Sequence, residues 1–272
     1  MIRIYNETYF EKMRKAAEIL CQTHLALREV IRPGISTNDL DKFANKFIVD
    51  HKKAIPAQLG YQGFPFTLCT SVNDEICHGY PTDRPLKEGD ILSIDNVVNL
   101  GGGLADSCWT YTIGKMSEID QKLVDVNLEA LNKAIKVAVP GNRIGDIGAA
   151  IQEYVEGENG FSVIRDFIGH GIGKEMHEDP QVPHYGKAGR GPRIEAGMVF
   201  TIEPMIAIGD WHMKLDDNGW TARTVDGSKV SQFEHQLIIH EDGPEVITDQ
   251  TKYKLTEEDL EFIKAYKEKY NL

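Results

Sequence analysis

The chain has 272 residues and a formal net charge of −12 at pH 7, with 30 Lys and Arg against 42 Asp and Glu. Its composition, 41 % apolar and 26 % charged, is that of a folded globular protein and excludes a disordered chain. The acidic balance argues against a nucleic-acid backbone as the main ligand, because phosphates bind clustered Lys and Arg. We therefore expect no direct nucleic-acid site.

Sequence features also bear on where the protein works. No apolar run approaches the roughly 20 residues that a membrane span needs, so no membrane contact is expected. The start of the chain lacks the apolar stretch of a secretory signal. The four cysteines form neither a C-x-x-C pair nor a dense framework. These features predict a reduced, cytoplasmic protein.

The predicted elements of the first half are two helices, an irregular aromatic stretch and a strand. Apolar residues recur at helical spacing over residues 7–32, and Pro33-Gly34 ends this helix. A second helix begins near Ser36, and after the aromatic stretch the alternation in Asp90–Val98 predicts a strand.

The second half repeats this order. Residues 121–139 predict a helix that ends at Pro140-Gly141, a further helix follows, and Met198–Ile206 predicts a strand. The two Pro-Gly pairs lie 107 residues apart and the two strands 108, which indicates an internal duplication. Beyond the repeat, Thr256 is expected to cap a last helix.

The repeat favours one domain over two independent ones. We expect residues 1–272 to form a single catalytic domain with pseudo-repeats of about 7–113 and 121–247. A cleft between two related halves is a natural place for a functional site. In this alignment Asp95 and Glu203 occupy the same position of the two halves.

Asp95 lies among apolar residues of the first predicted strand, where a lone carboxylate is costly to bury. By itself it would be explained by a buried ion pair or by an edge position. A hairpin turn centred between Leu100 and Gly101 places Asp106 directly opposite Asp95, about 5 Å away. Because facing carboxylates repel, a bound cation is the economical explanation.

Three further candidate ligands belong to the second half. His170 stands between glycines, and Glu203 lies in an apolar strand. Glu234 shares one face of a predicted continuous strand with Gln232 and Gln236. The sequence contains no H-E-x-x-H helix, P-loop or G-x-S-x-G elbow, so these common catalytic motifs are excluded.

Six motifs carry a resemblance to a known family: LSIDNVV, GLADS, GHGIG, MHEDPQVPHY, TIEPM and GWTARTVDGSKVSQFEHQLII. Their order and spacing resemble the type I methionine aminopeptidases, of the bacterial type, over residues 7–247. The resemblance implies the pita-bread fold, an α/β (α+β) fold with a pseudo-twofold axis and a central curved antiparallel sheet flanked by two helix pairs. It also implies a hydrolase that removes the N-terminal Met from nascent polypeptides with a small second residue.

The same resemblance implies a dinuclear metal site held by Asp95, Asp106, His170, Glu203 and Glu234. Asp106 and Glu234 would bridge two divalent ions, His170 and Glu203 would complete one of them, and Asp95 the other. A water or hydroxide between the ions would attack the peptide bond. The oxygen-rich donor set suits Mn, Fe(II), Co or Zn and does not choose among them.

Further roles follow from the matching motifs. His177 would contact the scissile carbonyl, His78 would help to position the peptide, and Glu203 would act as general base and proton shuttle. The pocket for the Met side chain would be formed by Tyr61, Phe64, Cys69 and Trp220. The family often has Tyr at position 64, and some members have Cys where this chain has Gln58. Six other histidines are expected to be structural: His24, His51, His184, His212, His235 and His240.

Three other functions remain open from the sequence. An X-Pro dipeptidase or aminopeptidase of the same fold uses a similar ligand set but usually carries a large extra N-terminal domain. A binding protein of this fold would tend to lose ligands, and a phosphoester hydrolase would need Lys and Arg near the site. The resemblance implies instead that the protein acts on the N-termini of newly made chains at the ribosome, and we expect a monomer.

Overall fold

The computed structural model describes residues 1–272 and contains five α-helices. The helices are α1 (Glu7–Arg28), α2 (Thr37–Lys46), α3 (Glu118–Val137), α4 (Ile144–Gln152) and α5 (Glu257–Tyr270). The π-helical segments Phe47–His51 and Glu153–Glu158 extend α2 and α4, and short 3-10 turns occur at Tyr61–Gly63 and Gln250–Lys252. None of the helices combines the length and the apolar character that crossing a bilayer requires.

Side-chain caps determine where the helices begin. Ser36 and Thr256 each form a capping box with the aspartate three residues later, as expected for the starts of α2 and α5. The first helix ends at Arg28, four residues before the predicted end. Pro33-Gly34 marks the following turn and not the last helical residue.

Fifteen short strands make up the sheets. They are β1 (Ile55–Pro56), β2 (Cys69–Val72), β3 (Glu75–Cys77), β4 (Ile91–Leu100), β5 (Gly103–Thr112), β6 (Ser162–Val163), β7 (Gly169–Gly171), β8 (Glu178–Val182), β9 (Val199–Ile202), β10 (Met205–Ala207), β11 (Met213–Leu215), β12 (Ala222–Thr224), β13 (Val230–Gln232), β14 (His235–His240) and β15 (Gly243–Val246). All their pairings are antiparallel.

The strands form four sheets that meet between the two halves. In the first half, β4 pairs with β1, β2 and β5. The other sheets have the orders β15-β14-β9-β7-β8, β13-β10-β6 and β11-β12-β3. The halves are joined along β5, where the Ser107 hydroxyl donates to the Glu234 carbonyl at 2.7 Å and the Glu234 N–H donates to the Cys108 carbonyl at 2.9 Å.

Each half buries one helix pair against its own strands. Leu92 and Ile94 of β4 pack in one apolar cluster with Phe43 of α2, whereas Phe200 of β9 packs in a second cluster with Ile147 of α4. Each half has a long helix followed by a short helix with a π-helical extension. This common order agrees with the proposed duplication, which itself stays a prediction.

The register of the β4–β5 hairpin differs from the predicted one. Leu100 pairs with Gly103, so the turn consists of Gly101 and Gly102, and Asp95 lies opposite Cys108 and not opposite Asp106. Both turn glycines have positive φ angles, 58° and 84°, as a two-residue hairpin turn requires. The predicted direct pairing of the two aspartates is therefore wrong. The two-residue shift keeps them on the same face as diagonal neighbours.

Two predicted continuous strands are each interrupted at a glutamate. Met198–Ile206 is split into β9 and β10 at Glu203-Pro204, and the strand around Glu234 is split into β13 and β14. Proline has no N–H for the ladder, which accounts for the first break. β9 pairs with β14 and β10 pairs with β13 in the same register, which places Glu203 opposite Glu234 across the break.

Candidate metal centre and active site

A cavity of about 650 Å³ lies between the two halves and is lined by residues from both. The β4–β5 hairpin brings carboxylates from the first half, and the interrupted strands and β7 bring the second-half candidates. Every residue predicted for the site lines this one cavity: Tyr61, Phe64, Cys69, His78, Asp95, Asp106, His170, His177, Glu203, Trp220 and Glu234.

The predicted metal ligands form a compact group. Side-chain ligand atoms of Asp106, His170 and Glu234 all lie within 4.8 Å of one another. His170 Nε2 is 3.7 Å from Asp106 Oδ2 and 3.5 Å from Glu203 Oε1. Asp95 lies outside the three-residue group but lines the same cavity, and its charge acts on Asp106 and Glu203.

The ring of His170 is oriented for ligation. Its Nδ1 lies 3.0 Å from the Gly171 carbonyl oxygen, which can only accept a hydrogen bond. Nδ1 therefore carries the proton of the neutral ring, and Nε2 presents its lone pair toward the carboxylates. Burial lowers the pKa of His170 to about 3, so the ring is neutral near pH 7.

The carboxyl groups are held where ionisation is unfavourable without a cation. Burial raises the pKa of Asp95 to about 7. Burial and the neighbouring carboxylates raise the pKa values of Asp106, Glu203 and Glu234 well above their usual range. Asp106 Oδ1 is buried and has no hydrogen-bond partner. An unpartnered carboxylate oxygen beside an imidazole and further carboxylates fits a divalent metal ion.

Two polar side chains that sequence reasoning missed as site residues hold the predicted ligands. The Gln58 amide donates to Asp95 Oδ1 at 3.1 Å, and the Thr201 hydroxyl donates to Glu203 Oε1 at 2.9 Å. Thr201 could have been found, because it stands two positions before Glu203 in a strand and so shares its face. Gln58 lies far from Asp95 in the sequence, and no local pattern connects them.

His177 lies at the exposed edge of the cavity. Its ring centroid is 4.2 Å from that of His170, and its Nδ1 is hydrogen-bonded to the Tyr61 hydroxyl at 2.9 Å. The partial burial of the ring lowers the pKa of His177. A neutral ring with one nitrogen engaged by Tyr61 keeps the other nitrogen available for a substrate.

Aromatic rings form part of the cavity wall. The His78 ring is nearly perpendicular to the rings of Phe167 and Trp220, at centroid distances of 5.5 and 6.1 Å, and the Phe64 ring centroid lies 5.1 Å from that of Trp220. Burial lowers the pKa of His78 to about 4 and raises the pKa of the Cys69 thiol, so both are neutral near pH 7. Phe167 was not predicted, although it directly precedes the Ile168–Gly173 motif.

One histidine expected to be purely structural contacts the site. His184 is fully buried, and its Nε2 accepts the backbone N–H of Glu203 at 3.1 Å. This bond satisfies the Glu203 N–H at the break after β9. His24 and His235 instead bond Tyr111 and Thr248.

Comparisons with known proteins cover most of the chain. The model of metallopeptidase family M24 matches residues 11–241. Methionine aminopeptidase 1 of Bacillus subtilis is 48 % identical over 236 residues, which are 87 % of this chain and 94 % of that protein. The crystal structure of methionine aminopeptidase from Rickettsia prowazekii has a TM-score of 0.89 at 42 % identity, over 91 % of this chain and 100 % of that one.

A more distant likeness concerns the fold alone. A prolidase from Pyrococcus furiosus has a TM-score of 0.73 at 21 % identity, and the match spans 90 % of this chain and 65 % of the prolidase. The expected pita-bread architecture and the expected family are confirmed by the closer matches. The chain belongs to metallopeptidase family M24 and, within it, to the methionine aminopeptidases.

Proposed function

We propose that this chain is a metal-dependent exopeptidase that removes the N-terminal methionine from newly made polypeptides. The observation that carries the proposal is the group of Asp106, His170 and Glu234, whose ligand atoms lie within 4.8 Å of one another in the cavity between the halves. The identity of 48 % to methionine aminopeptidase 1 of Bacillus subtilis supports the substrate.

We infer that the site holds two divalent ions through Asp95, Asp106, His170, Glu203 and Glu234. The unpartnered Asp106 Oδ1 and the raised carboxyl pKa values support this donor set. When bound, such ions activate water and polarise the scissile carbonyl. The donors suit Mn, Fe(II), Co or Zn, and metal analysis of the purified protein identifies which is present.

Glu203 has the environment of a proton shuttle. Its Oε1 accepts the Thr201 hydroxyl at 2.9 Å, whereas Oε2 faces only the Gln232 amide, at 3.5 Å. We therefore assign to Oε2 the proton that leaves the attacking water and is passed to the departing amine. The bond to Thr201 keeps the carboxylate from rotating during this transfer.

Two histidines orient the peptide. When the Tyr61 hydroxyl donates to Nδ1 of His177, the proton of the neutral ring resides on Nε2, which can donate to the scissile carbonyl oxygen. His78 is neutral near pH 7 because burial lowers its pKa to about 4. It can therefore hydrogen-bond the peptide without repelling a cationic N-terminus.

The aromatic wall accounts for a preference for methionine. A thioether gains about 0.3–1.5 kcal/mol from each contact with an aromatic ring, and Phe64 and Trp220 offer two rings 5.1 Å apart. Tyr61 and Cys69 complete the proposed pocket. We further propose that a small second residue is preferred and that the protein acts as a monomer on chains leaving the ribosome.

The test is peptide cleavage by the chelated protein after Mn²⁺ or Co²⁺ is added back. Met-Ala-Ser and Ala-Pro-Ser are compared as substrates. We expect metal-restored release of Met from the first peptide and no cleavage of the second. Cleavage of Ala-Pro-Ser alone would assign an X-Pro peptidase, and cleavage of neither peptide would contradict a peptidase.

A ligand variant with a matched control completes this test. Asp106→Asn is expected to lower kcat/KM by more than about 100-fold, since even partners outside the ligand set change activity by about 10–100-fold. Asp125→Asn removes a carboxylate from the exposed face of α3 and should keep full activity. Equal activities of the two variants would remove Asp106 from the metal site.

A further inference from the structure

The first nine residues contact the loop that carries His177. We call residues 1–9 the N-terminal strap and residues 172–177, which connect β7 to β8, the His177 loop. The Tyr5 hydroxyl accepts a hydrogen bond from the backbone N–H of Lys174 at 3.0 Å and donates one to Glu178 Oε2 at 2.8 Å. The strap therefore bonds both the loop and the residue that follows it.

The aromatic rings of the strap lie directly on the loop backbone. A Cβ at Gly173 would lie 2.0 Å from the Tyr5 hydroxyl oxygen, so only glycine allows this approach. The Tyr9 hydroxyl lies 3.0 Å from the carbonyl oxygens of both Gly173 and Gly102, and it can donate to either. Because Gly102 belongs to the turn of the β4–β5 hairpin, Tyr9 connects the loop to the strands that carry the two aspartates.

The strap itself is attached to both halves. The Tyr5 N–H donates to the Gly197 carbonyl at 2.8 Å, which fixes the strap to the second half just before β9. The rings of Tyr5 and Tyr9 stack at 4.7 Å, and Tyr9 belongs to α1, whose Met13 is fully buried. A firmly attached strap can hold a neighbouring segment in place.

The exposed residues of the His177 loop have few attachments of their own. Ile172 and Met176 are buried in the core, whereas Lys174, Glu175 and His177 are exposed, and the loop contains no helix or strand. Within the loop, the Gly173 N–H donates to the Glu175 carbonyl at 3.0 Å, and the Glu175 N–H donates to Glu178 Oε1 at 2.9 Å. The exposed backbone beyond these two buried side chains opens more easily than the core unless other elements restrain it.

We propose that Tyr5 is a positioning residue that holds His177 at the edge of the cavity through Lys174 and Glu178. The inference rests on the proposed function, in which His177 meets the scissile carbonyl. A donor displaced from the position of the developing oxyanion loses most of its effect on the transition state. The contribution of Tyr5 should therefore appear in kcat and not in substrate affinity.

The first experiment compares Tyr5→Phe with Tyr253→Phe by steady-state cleavage of Met-Ala-Ser. Tyr253 is a matched control, because its hydroxyl makes a partly buried bond to the Ile247 carbonyl at 2.9 Å and none to the His177 loop. Loss of a hydrogen bond to a charged group corresponds to about a tenfold change. We expect kcat of Tyr5→Phe to fall about tenfold with an unchanged KM, and kcat of Tyr253→Phe to remain that of the original protein.

A double-mutant cycle with His177→Ala tests whether Tyr5 acts through His177. If it does, Tyr5→Phe has no further effect on kcat once the imidazole is gone. An equal fall in both backgrounds would overturn the proposal, as would an unchanged kcat in Tyr5→Phe. Failure of the original protein to release Met, or full activity of His177→Ala, would instead contradict the proposed function.

Amide hydrogen exchange of the metal-free protein gives a readout that does not depend on activity. We expect peptides that span residues 172–178 to exchange faster in Tyr5→Phe, while the same peptides keep their protection in Tyr253→Phe. Unchanged protection in Tyr5→Phe would overturn the positioning role even if catalysis were impaired.

Discussion

The two strand pairs that supply carboxylates to the cavity are built differently. In the first, β4 and β5 form an uninterrupted ladder, and Asp95 and Asp106 lie on one face as diagonal neighbours. In the second, both strands break at the glutamates, and the common register sets Glu203 opposite Glu234. The first pair is a regular hairpin, and the second is an antiparallel pairing of strands distant in the sequence that is interrupted at two proposed ligands.

The difference shows how each pair is held. The ladder itself positions Asp95 and Asp106. At the break, the Glu203 N–H donates a hydrogen bond to His184 Nε2 at 3.1 Å, and the Glu234 N–H donates one to the Cys108 carbonyl at 2.9 Å. The glutamates therefore depend on partners elsewhere in the molecule. Irregular strands of this kind often occur next to active sites, where they redirect side chains.

The largest expected effect is a loss of metal affinity when a side chain that hydrogen-bonds a proposed ligand is removed. Thr201→Val removes the donor to Glu203, and Gln58→Leu removes the donor to Asp95. Such partners change metal affinity by about 10–100-fold. We expect metal affinity to fall about 100-fold in Thr201→Val and about 10-fold in Gln58→Leu, since the ladder still holds Asp95. Calorimetric metal titration of the chelated proteins measures both.

Thr23→Val is the control for this titration, because Thr23 is buried in α1 and bonds only the Ile19 carbonyl. Its metal affinity should be unchanged. A greater loss of metal affinity in Gln58→Leu than in Thr201→Val would contradict the view that the regular ladder holds its carboxylates more firmly than the interrupted strands do.

A smaller effect is expected on the stability of the metal-free protein. A carboxyl whose folded pKa is raised contributes stability below its unfolded pKa, and this contribution is lost as the pH rises through the folded value. For Asp95, with a usual pKa of 3.8 and a folded value of about 7, the loss extends from about pH 4 to above pH 7. Each pH unit within this window removes about 1 kcal/mol.

Neutral substitutions should therefore stabilise the chelated protein at pH 8 and have little effect near pH 4. Glu234→Gln should stabilise more than Asp95→Asn, because Asp106, Glu203 and Asp95 raise the pKa of Glu234 in addition to burial, whereas burial alone raises that of Asp95. Urea unfolding at the two pH values measures the differences. With saturating metal, both substitutions should instead lower the free energy of unfolding at pH 8. Destabilisation by Glu234→Gln at pH 8 without metal would contradict the explanation.

Local sequence patterns predicted the regular parts of the molecule well. The capping residues Ser36 and Thr256 identified two helix starts, because a cap depends on side chains within one turn. Alternation identified the face of β4 that carries Asp95. The motif resemblance predicted the fold, which the matches confirm, and it predicted a ligand set whose residues line one cavity.

The remaining features depend on contacts between distant segments. The bonds of Gln58 to Asp95 and of His184 to Glu203 join residues that no periodic pattern relates. No proline marks the break at Glu234 in the sequence. There the Glu234 N–H donates to the Cys108 carbonyl of the other half, a contact that no local pattern predicts. The position of the Tyr5 ring on Gly173 likewise exists only in the folded chain.

The smallest effect concerns the hairpin turn, where the predicted register was wrong by two residues. Gly101 has a φ of 58°, and a Cβ there would meet no atom within 4 Å, so a substitution acts through backbone strain alone. Gly101→Ala should lower the unfolding free energy by about 1 kcal/mol, and Gly101→Asn by less, because Asn tolerates positive φ. Both should keep metal affinity, since the ten residue pairs of the ladder hold Asp95 and Asp106 in register. Weakened metal binding in Gly101→Ala, measured by the same calorimetric titration, would mean that the turn and not the ladder positions the two aspartates.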